Sequence, residues 1–214
     1  MTTAVIFDLD GVLVDSEQVW DDVREALAHE RGGRWHERAQ RDMMGMSSPE
    51  WSRYMHERIG LSESPEEINS IVVERMLARY AAGPPWLPGA VETVRRLAAE
   101  FVLGLASSSN RELIDRVLEA GGIADCFRAT ASSEEVAAGK PAPDVYLEVA
   151  RRLGVDPRDC TAVEDSHNGI RSAKAAGMRC VAIPNAHFPP GDAVAEADAV
   201  VGSLAELTSE VVGG

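Results

Sequence analysis

Short apolar runs alternate with amphipathic stretches through much of the chain, and this alternation predicts an α/β fold. The runs are only a few residues long and rich in aliphatic side chains, as strands buried inside parallel sheets are. Helical spacing of apolar residues fills the intervals from residue 91 onward. The pattern therefore predicts a Rossmann-like parallel sheet with helices on both faces. The predicted strands are residues 5–7, 101–106, 127–131, 160–163, 179–183 and 199–201.

Residues 16–86 have a different pattern, since their apolar positions recur at helical spacing and no stretch has the features of a buried strand. Ser16 is placed to cap the first helix, and Ser64 followed by Pro65 is a typical helix start. A loop is predicted between two of the helices, at residues 45–48. The segment is therefore predicted to be an all-helical insert after the first strand.

Two carboxylates follow the first strand, and their spacing places them on one side of the chain. Side chains two apart on an extended backbone point the same way, so Asp8 and Asp10 should face one space. With a divalent cation nearby, one acid can stay ionised as a nucleophile on phosphorus while the other moves protons. A calcium loop is excluded, because its fifth, sixth and twelfth positions would be Val12, Leu13 and Val19.

Polar residues also follow two later strands, and a lysine precedes a helix. Residues 107–110 are three serines and an asparagine, and hydroxyls beside a helix start can cradle phosphate, although an ordinary helix cap is the better explanation of this stretch taken alone. Glu164 and Asp165 follow another predicted strand, where a cap is again the alternative. Lys140, taken alone, is typical of a solvated surface charge.

The residues Asp8-Leu9-Asp10-Gly11-Val12-Leu13-Val14-Asp15-Ser16 resemble the first motif of the haloacid dehalogenase superfamily, in its phosphatase and phosphomutase branch. The other polar groups agree with this resemblance in order and spacing. Ser107 corresponds to the second motif, Gly139-Lys140-Pro141 to the third, and Glu164-Asp165 to the fourth. The resemblance covers essentially the whole chain.

The resemblance implies a role for each of these positions. Asp8 would be the nucleophile and Asp10 the general acid and base, while Ser107, Ser108 and Lys140 would bind the phosphate. A compact lysine charge suits this task because it offsets the charge of the nucleophile and the phosphoryl group.

The resemblance also implies Mg²⁺ as the cofactor. The carboxylates of Asp8 and Asp165 and the backbone carbonyl of Asp10 would hold the ion, with Glu164 in support. Carboxylate and carbonyl oxygens are the ligands that this hard cation prefers in proteins.

In the resembling family the helical insert is a cap domain that closes over the active site. The chain would then divide into an α/β core, residues 1–15 and 87–214, and a cap, residues 16–86. Substrate specificity is predicted to lie in the cap, at Trp20, Gly45, Met46, Ser47 and Ser48.

The cap departs from the β-phosphoglucomutase-like subfamily at three positions. Trp20 stands where those members have His, and Met44 and Ser48 stand where they have Lys and Arg. The main prediction is therefore a magnesium-dependent phosphatase that acts through an aspartyl phosphate on a small phosphorylated metabolite, a sugar or polyol phosphate. A sugar phosphomutase is the alternative, and a non-enzymatic phospho-aspartate switch a remote one.

Charge and cysteine content restrict the partners. The formal net charge is −14, with 21 Lys and Arg against 35 Asp and Glu, which argues against nucleic acid and anionic membranes as partners. The predicted partner is a small phosphate ester, and the choice between monomer and dimer stays open. Cys126, Cys160 and Cys180 show no metal-like spacing and are predicted to be reduced thiols. With no signal peptide or transmembrane span, a cytoplasmic location is predicted.

Overall fold

The computed structural model describes residues 2–185 and 189–214, which contain one six-stranded sheet. The strand order is β3-β2-β1-β4-β5-β6, and every neighbouring pair is parallel. All six predicted strands are present, and each differs from its predicted bounds by one residue at one end or, in β2, at both ends. The strands are β1 (Ala4–Phe7), β2 (Val102–Ser107), β3 (Phe127–Ser132), β4 (Cys160–Glu164), β5 (Arg179–Ala182) and β6 (Ala199–Val200).

Helices occupy the intervals between the strands. They are α1 (Glu17–Glu30), α2 (Ala39–Met43), α3 (Ser48–Tyr54), α4 (Pro65–Tyr80), α5 (Ala90–Ala98), α6 (Arg111–Gly121), α7 (Asp144–Leu153), α8 (His167–Ala175) and α9 (Ser209–Gly213). A π-helical turn, Met55–Ile59, continues α3. Short 3₁₀ turns lie at Ala124–Cys126, Ser133–Glu135, Pro157–Asp159, Gly191–Glu196 and Leu204–Glu206.

The central strand β1 is buried on both faces, which explains its apolar sequence. Val5 and Phe7 pack in one apolar cluster, and Ala4 and Ile6 pack in another on the opposite face. The first cluster includes side chains of α5 and α6, and the second includes those of α7 and α8. The predicted α/β fold with helices on both faces is therefore confirmed, and β1 lies between β2 and β4.

Residues 16–86, called here the cap segment, contain helices α1 to α4 and no strand of the sheet. Their apolar side chains, among them Trp51 and Ile68, belong to the same cluster as Phe7 of the sheet. The two connections to the sheet run side by side, because the N–H of Asp15 donates to Pro85 O at 2.7 Å. The division into core and cap domains at these residues stays a prediction.

Two local predictions for the cap segment need correction. Ser16 precedes α1 but makes no side-chain cap hydrogen bond there, because its hydroxyl donates to Asp10 instead. The predicted loop at residues 45–48 is one residue too long, since Ser48 already belongs to α3. Ser64 does cap α4 as predicted, and its Oγ accepts from the N–H of Glu67 at 3.2 Å.

None of the helices within residues 2–185 and 189–214 combines the length and the apolar character that a membrane crossing requires.

Candidate active site

Asp8 and Asp10 lie at the carboxyl end of β1, where the chain leaves the sheet. The N–H of Asp8 donates to Val163 O at 3.0 Å, so the parallel pairing with β4 holds the Asp8 backbone in place. Gly11 then turns the chain with φ of +78°, a conformation that favours glycine. Both carboxylates line one pocket, as their spacing predicts.

Lys140 is buried, although a lone lysine is typical of the surface. Its Nζ donates to Asp8 Oδ1 at 2.8 Å, to Glu164 Oε1 at 2.6 Å and to Ala106 O at 3.1 Å, which uses all three ammonium protons. Burial lowers the pKa of Lys140, but the charges of Asp8 and Glu164 outweigh burial and raise the pKa above its ordinary value. Lys140 therefore stays charged at neutral pH and ties the ends of three strands together.

Three buried carboxylates, those of Asp8, Glu164 and Asp165, stand beside this lysine. One oxygen from each lies within 4.8 Å of the others, which is the arrangement of a cation site. Burial and the charge of Glu164 raise the pKa of Asp165 well above its usual range. Burial also raises the pKa of Asp8, although the charge of Lys140 opposes the shift.

The surroundings of Asp165 fit a divalent cation. Its Oδ2 is buried and has no hydrogen-bond partner among the described residues. Such an atom has lost its hydration without compensation, and a cation would restore the lost interaction. Gly11 leaves the necessary room, since a Cβ at that position would lie 2.0 Å from the same oxygen. The donor set is all oxygen, which suits Mg²⁺.

The three serines after β2 serve different partners. Ser109 Oγ donates to Asp10 Oδ2 at 2.6 Å, and Ser107 Oγ lies 3.4 Å from the same oxygen. Ser107 Oγ also accepts from the N–H of Ser109 at 3.0 Å. Ser108 Oγ donates instead to Gly45 O at 2.9 Å. The phosphate-binding roles of Ser107 and Ser108 stay predictions.

Sequence reasoning missed Ser109 as a partner of Asp10. The run of hydroxyls after an apolar strand was the available signal, because it marks the whole stretch from residue 107 to residue 109. The period-two rule of extended backbone does not reach Ser109, since β2 ends at Ser107 and the chain bends at the next two residues. Which hydroxyl meets Asp10 therefore depends on the bend.

The cap segment supplies the other donors to Asp10. Trp20 Nε1 donates to Asp10 Oδ1 at 3.1 Å, and the hydroxyl of Ser16 donates to the same oxygen. Both oxygens of Asp10 therefore accept hydrogen bonds, one set from the cap segment and one from the chain after β2. This arrangement fixes the orientation of the carboxylate.

The predicted specificity residues divide into two groups. Trp20, Gly45 and Met46 line the pocket that holds Asp8 and Asp10. Ser47 and Ser48 are buried but are not among the residues that line it, because Ser47 bonds to Glu50 and Ser48 begins α3. Their role in specificity stays a prediction. Glu17, Arg24, Met43, Met44 and Trp51 also line the pocket and were not predicted.

Two contacts, called here the cap latch, join the cap segment to the α/β part of the chain. Asn168 Nδ2 donates to Met44 O at 2.9 Å, and Ser108 Oγ donates to Gly45 O at 2.9 Å. Gly45 has φ of +77°, and a Cβ there would lie 2.9 Å from Cβ of Asn168. The latch therefore depends on glycine at this position and on backbone carbonyls of the cap loop.

Comparisons with known proteins identify the family of the chain. A family described as haloacid dehalogenase-like hydrolases matches residues 2–177. Hexitol phosphatase B of Escherichia coli strain K12 is 34% identical, with 97% of this chain and 95% of that protein covered.

Two solved structures have the same fold over nearly their whole length. CbbY from Rhodobacter sphaeroides, in complex with phosphate, has a TM-score of 0.87 and 27% identity, with 99% of each chain covered. A β-phosphoglucomutase from Clostridium difficile has a TM-score of 0.84 and 26% identity, covering 98% of this chain and 95% of that one.

The family match covers most of the chain, and it confirms the prediction made from the four motifs. The prediction of an enzyme that hydrolyses phosphoric monoesters is confirmed as well, by the family and by its phosphatase relatives. A non-enzymatic switch is accordingly set aside. The chain belongs to the haloacid dehalogenase-like hydrolases.

Proposed function

We propose that the protein is a magnesium-dependent phosphatase that acts through an aspartyl phosphate on a small sugar or polyol phosphate. The observation that carries the proposal is the arrangement of Lys140 between Asp8 and Glu164, beside the unpartnered Oδ2 of Asp165. It combines a carboxylate nucleophile, a fixed positive charge and a place for a cation in one pocket. The similarity to hexitol phosphatase B supports the substrate class.

In the first half of the reaction, a carboxylate oxygen of Asp8 attacks phosphorus in line with the ester oxygen. The new bond joins Asp8 to the phosphoryl group, and the bond from phosphorus to the alcohol oxygen breaks. Asp10 gives a proton to the leaving oxygen, so the alcohol departs neutral. The hydroxyl of Ser109 can accept as well as donate, so its bond to Asp10 persists in either protonation state.

In the second half, Asp10 takes a proton from water while the water oxygen attacks phosphorus. The bond between phosphorus and Asp8 breaks, and inorganic phosphate leaves. Lys140 stabilises the negative charge on Asp8 and on the phosphoryl oxygens throughout. Asp8, Asp165 and the carbonyl of Asp10 would hold Mg²⁺, with Glu164 in support, and the bound ion would shield the charge of the phosphoryl group.

A phosphomutase, the alternative function, must also bind a second phosphate group. The Lys and Arg of the resembling mutases are replaced by Met44 and Ser48, and Ser48 is not among the residues that line the pocket. The alternative therefore stays second, and conversion of β-glucose 1-phosphate to the 6-phosphate would establish it.

The test is phosphate release from a panel of sugar, polyol, glycolate, nucleotide and p-nitrophenyl monophosphates, with magnesium and with a chelator. Asp8→Asn should abolish release while the protein stays folded, because the amide is a poor nucleophile. Asp15→Asn is the matched control, since Asp15 is an exposed carboxylate in the same stretch of chain. Release that survives in Asp8→Asn, or that ignores the chelator, would contradict the proposal.

A further inference from the structure

Three polar side chains of the cap segment form a hydrogen-bonded chain beside the pocket. Gln40 Nε2 donates to Glu17 Oε2 at 2.9 Å, and Arg24 donates through a terminal nitrogen to Gln40 Oε1 at 3.3 Å. Glu17 and Arg24 line the same pocket as Asp8 and Asp10. The phosphoryl chemistry proposed above uses none of the three, so they are free for another task.

The guanidinium of Arg24 contacts two indole rings, which also contact each other. Its Cζ is 4.5 Å from the centroid of Trp20 and 4.7 Å from that of Trp51. The residue is only 5% exposed, and its Nε has no hydrogen-bond partner among the described residues. A buried donor without a partner has a free-energy cost, and a ligand oxygen in the pocket would remove this cost.

Glu17 supplies the complementary group, an acceptor. Gln40 also binds the backbone of Glu17, since Nε2 donates to its carbonyl oxygen at 3.2 Å. The amide of Gln40 thereby fixes the order of the three hydrogen-bonded side chains, with the acceptor Glu17 at one end and the donor Arg24 at the other. Gln40 acts as a positioning residue.

The chemistry of this wall suits a hydroxylated carbon chain. Neighbouring hydroxyls can donate to Glu17 and accept from Arg24, while the C–H groups between them contact the indole of Trp20. The carboxyl group of Glu17 beside Arg24 gives a second phosphate less attraction than an arginine alone would give. A plain alkyl ester would leave the polar groups unpaired.

We propose that Glu17 and Arg24 bind hydroxyl groups of the substrate and make the enzyme select polyhydroxylated monophosphates over alkyl monophosphates. This inference rests on the proposed phosphatase function and deepens it. It concerns the part of the substrate beyond the phosphoryl group, and it adds side chains of α1 to the loop at residues 45–48 as determinants of specificity.

The test compares esters of matched length that differ only in their hydroxyls: glycerol 3-phosphate with propyl phosphate, and sorbitol 6-phosphate with hexyl phosphate. The wild-type enzyme should favour the hydroxylated member of at least one pair in kcat/KM by about a hundredfold or more. Glu17→Gln and Arg24→Met should each reduce that preference about tenfold. Hydrolysis of p-nitrophenyl phosphate, whose leaving group has no hydroxyls, should fall less in the same variants than hydrolysis of the hydroxylated esters.

Arg75→Met is the matched control, because Arg75 is another cap arginine, paired with Glu30 away from the pocket. It should leave the preference unchanged. Thermal unfolding of each variant separates misfolding from lost recognition, and Glu17→Gln keeps the shape of the side chain if Arg24→Met fails to fold.

Two results would overturn the inference while the phosphatase function stands. One is a wild-type enzyme without preference within either pair, and the other is an unchanged preference in both pocket variants. A loss confined to esters with a second anionic group, such as 2-phosphoglycolate, would also overturn it and assign Arg24 to anion binding. Absence of phosphate release from every ester, p-nitrophenyl phosphate included, would instead remove the proposed function itself.

Discussion

The two walls of the pocket are built in different ways. On the core wall the charged side chains stand at strand ends and bond to one another, as Lys140 does with Asp8 and Glu164. On the cap wall aromatic and methionine side chains surround a short polar chain from Glu17 to Arg24. The core wall suits a group that never changes, the phosphoryl group, and the cap wall suits a group that differs between substrates.

The side chains of the two walls are also held in position in different ways. Strand pairing places Asp8 and Glu164 through the backbone, because β1 and β4 are hydrogen-bonded neighbours. The packing of helices against each other places Arg24, against one ring from α1 and one from α3. Substitutions on the core wall should therefore lower the rate for every substrate. Substitutions on the cap wall should have smaller effects, on stability, on substrate preference or on kcat. Four predictions test this comparison, from the largest expected effect to the smallest.

Lys140→Met removes the cation from the core wall. We expect kcat to fall about 10³-fold, because the phosphoryl charge loses a fixed partner. The free energy of unfolding of the metal-free protein should fall by about 3–5 kcal/mol, since buried carboxylates are left unpaired. Lys174→Met is the control, as Lys174 is the other lysine of the chain and pairs with Asp198 on the surface. Equal losses of kcat and of stability in Lys140→Met and Lys174→Met would contradict the special role of Lys140.

Glu17→Gln tests the cap wall through stability. Burial, followed by the charge of Asp10, raises the pKa of Glu17 to about 7. Unfolded glutamate titrates near a pKa of about 4.3, so the folded wild-type protein binds more protons than the unfolded chain between these values. Wild-type stability therefore falls as pH rises through this window, and the variant should escape the loss.

The free energy of unfolding of Glu17→Gln should exceed that of the wild type by nearly zero at pH 4 and by about 1–2 kcal/mol at pH 8, with allowance for solvent in the pocket. Urea unfolding in a chelator at several pH values measures it. Asp22→Asn, an exposed carboxylate of the same helix, is the control. A gain that does not depend on pH would refute the assignment to Glu17.

Ser109→Ala removes one donor to Asp10 from the core wall. We expect kcat to fall about tenfold with little change in KM, because the hydrogen bond orients the acid and base rather than the substrate. Steady-state kinetics measures both constants. Ser133→Ala controls for the loss of a buried hydroxyl, since Ser133 Oγ has no partner among the described residues. An effect on KM alone would count against the orienting role.

Trp20→Phe removes the donor to the opposite oxygen of Asp10, this time from the cap wall. Phenylalanine keeps an aromatic ring, though a smaller one, on the side of Arg24, and it removes the indole N–H that donates to Asp10. We expect kcat to fall about threefold. Trp35→Phe is the control, because Trp35 is a tryptophan of the cap segment that is not among the pocket-lining residues. Equal kcat values for Trp20→Phe and the wild type would show that the cap does not act on Asp10.

The core wall could be predicted from the sequence because local rules place its residues. Asp8, Asp10, Glu164 and Asp165 follow apolar strands, and parallel strands end at one edge of a sheet. The burial of Lys140 was different, since no local pattern distinguishes it from a surface lysine. Only the resemblance to a family placed Lys140 near the nucleophile.

The polar chain of the cap wall could not be predicted by the same rules. Glu17, Trp20 and Arg24 share one face of α1, as their helical spacing implies, but the spacing does not say which neighbour covers that face. Gln40 approaches from α2, and Trp51 from α3. Contacts between helices that are distant in sequence depend on packing, which an apolar pattern does not specify.

The cap latch has a consequence for how this enzyme can change over evolutionary time. Asn168 and Ser108 bond to the carbonyl oxygens of Met44 and Gly45, and every residue type carries such an oxygen. Substitutions at Met44 and Met46 can therefore alter the lining of the pocket while the hydrogen bonds of the latch persist. The latch and the lining of the pocket can change independently, so a library randomised at these two positions should yield new substrate preferences in proteins that keep both latch hydrogen bonds.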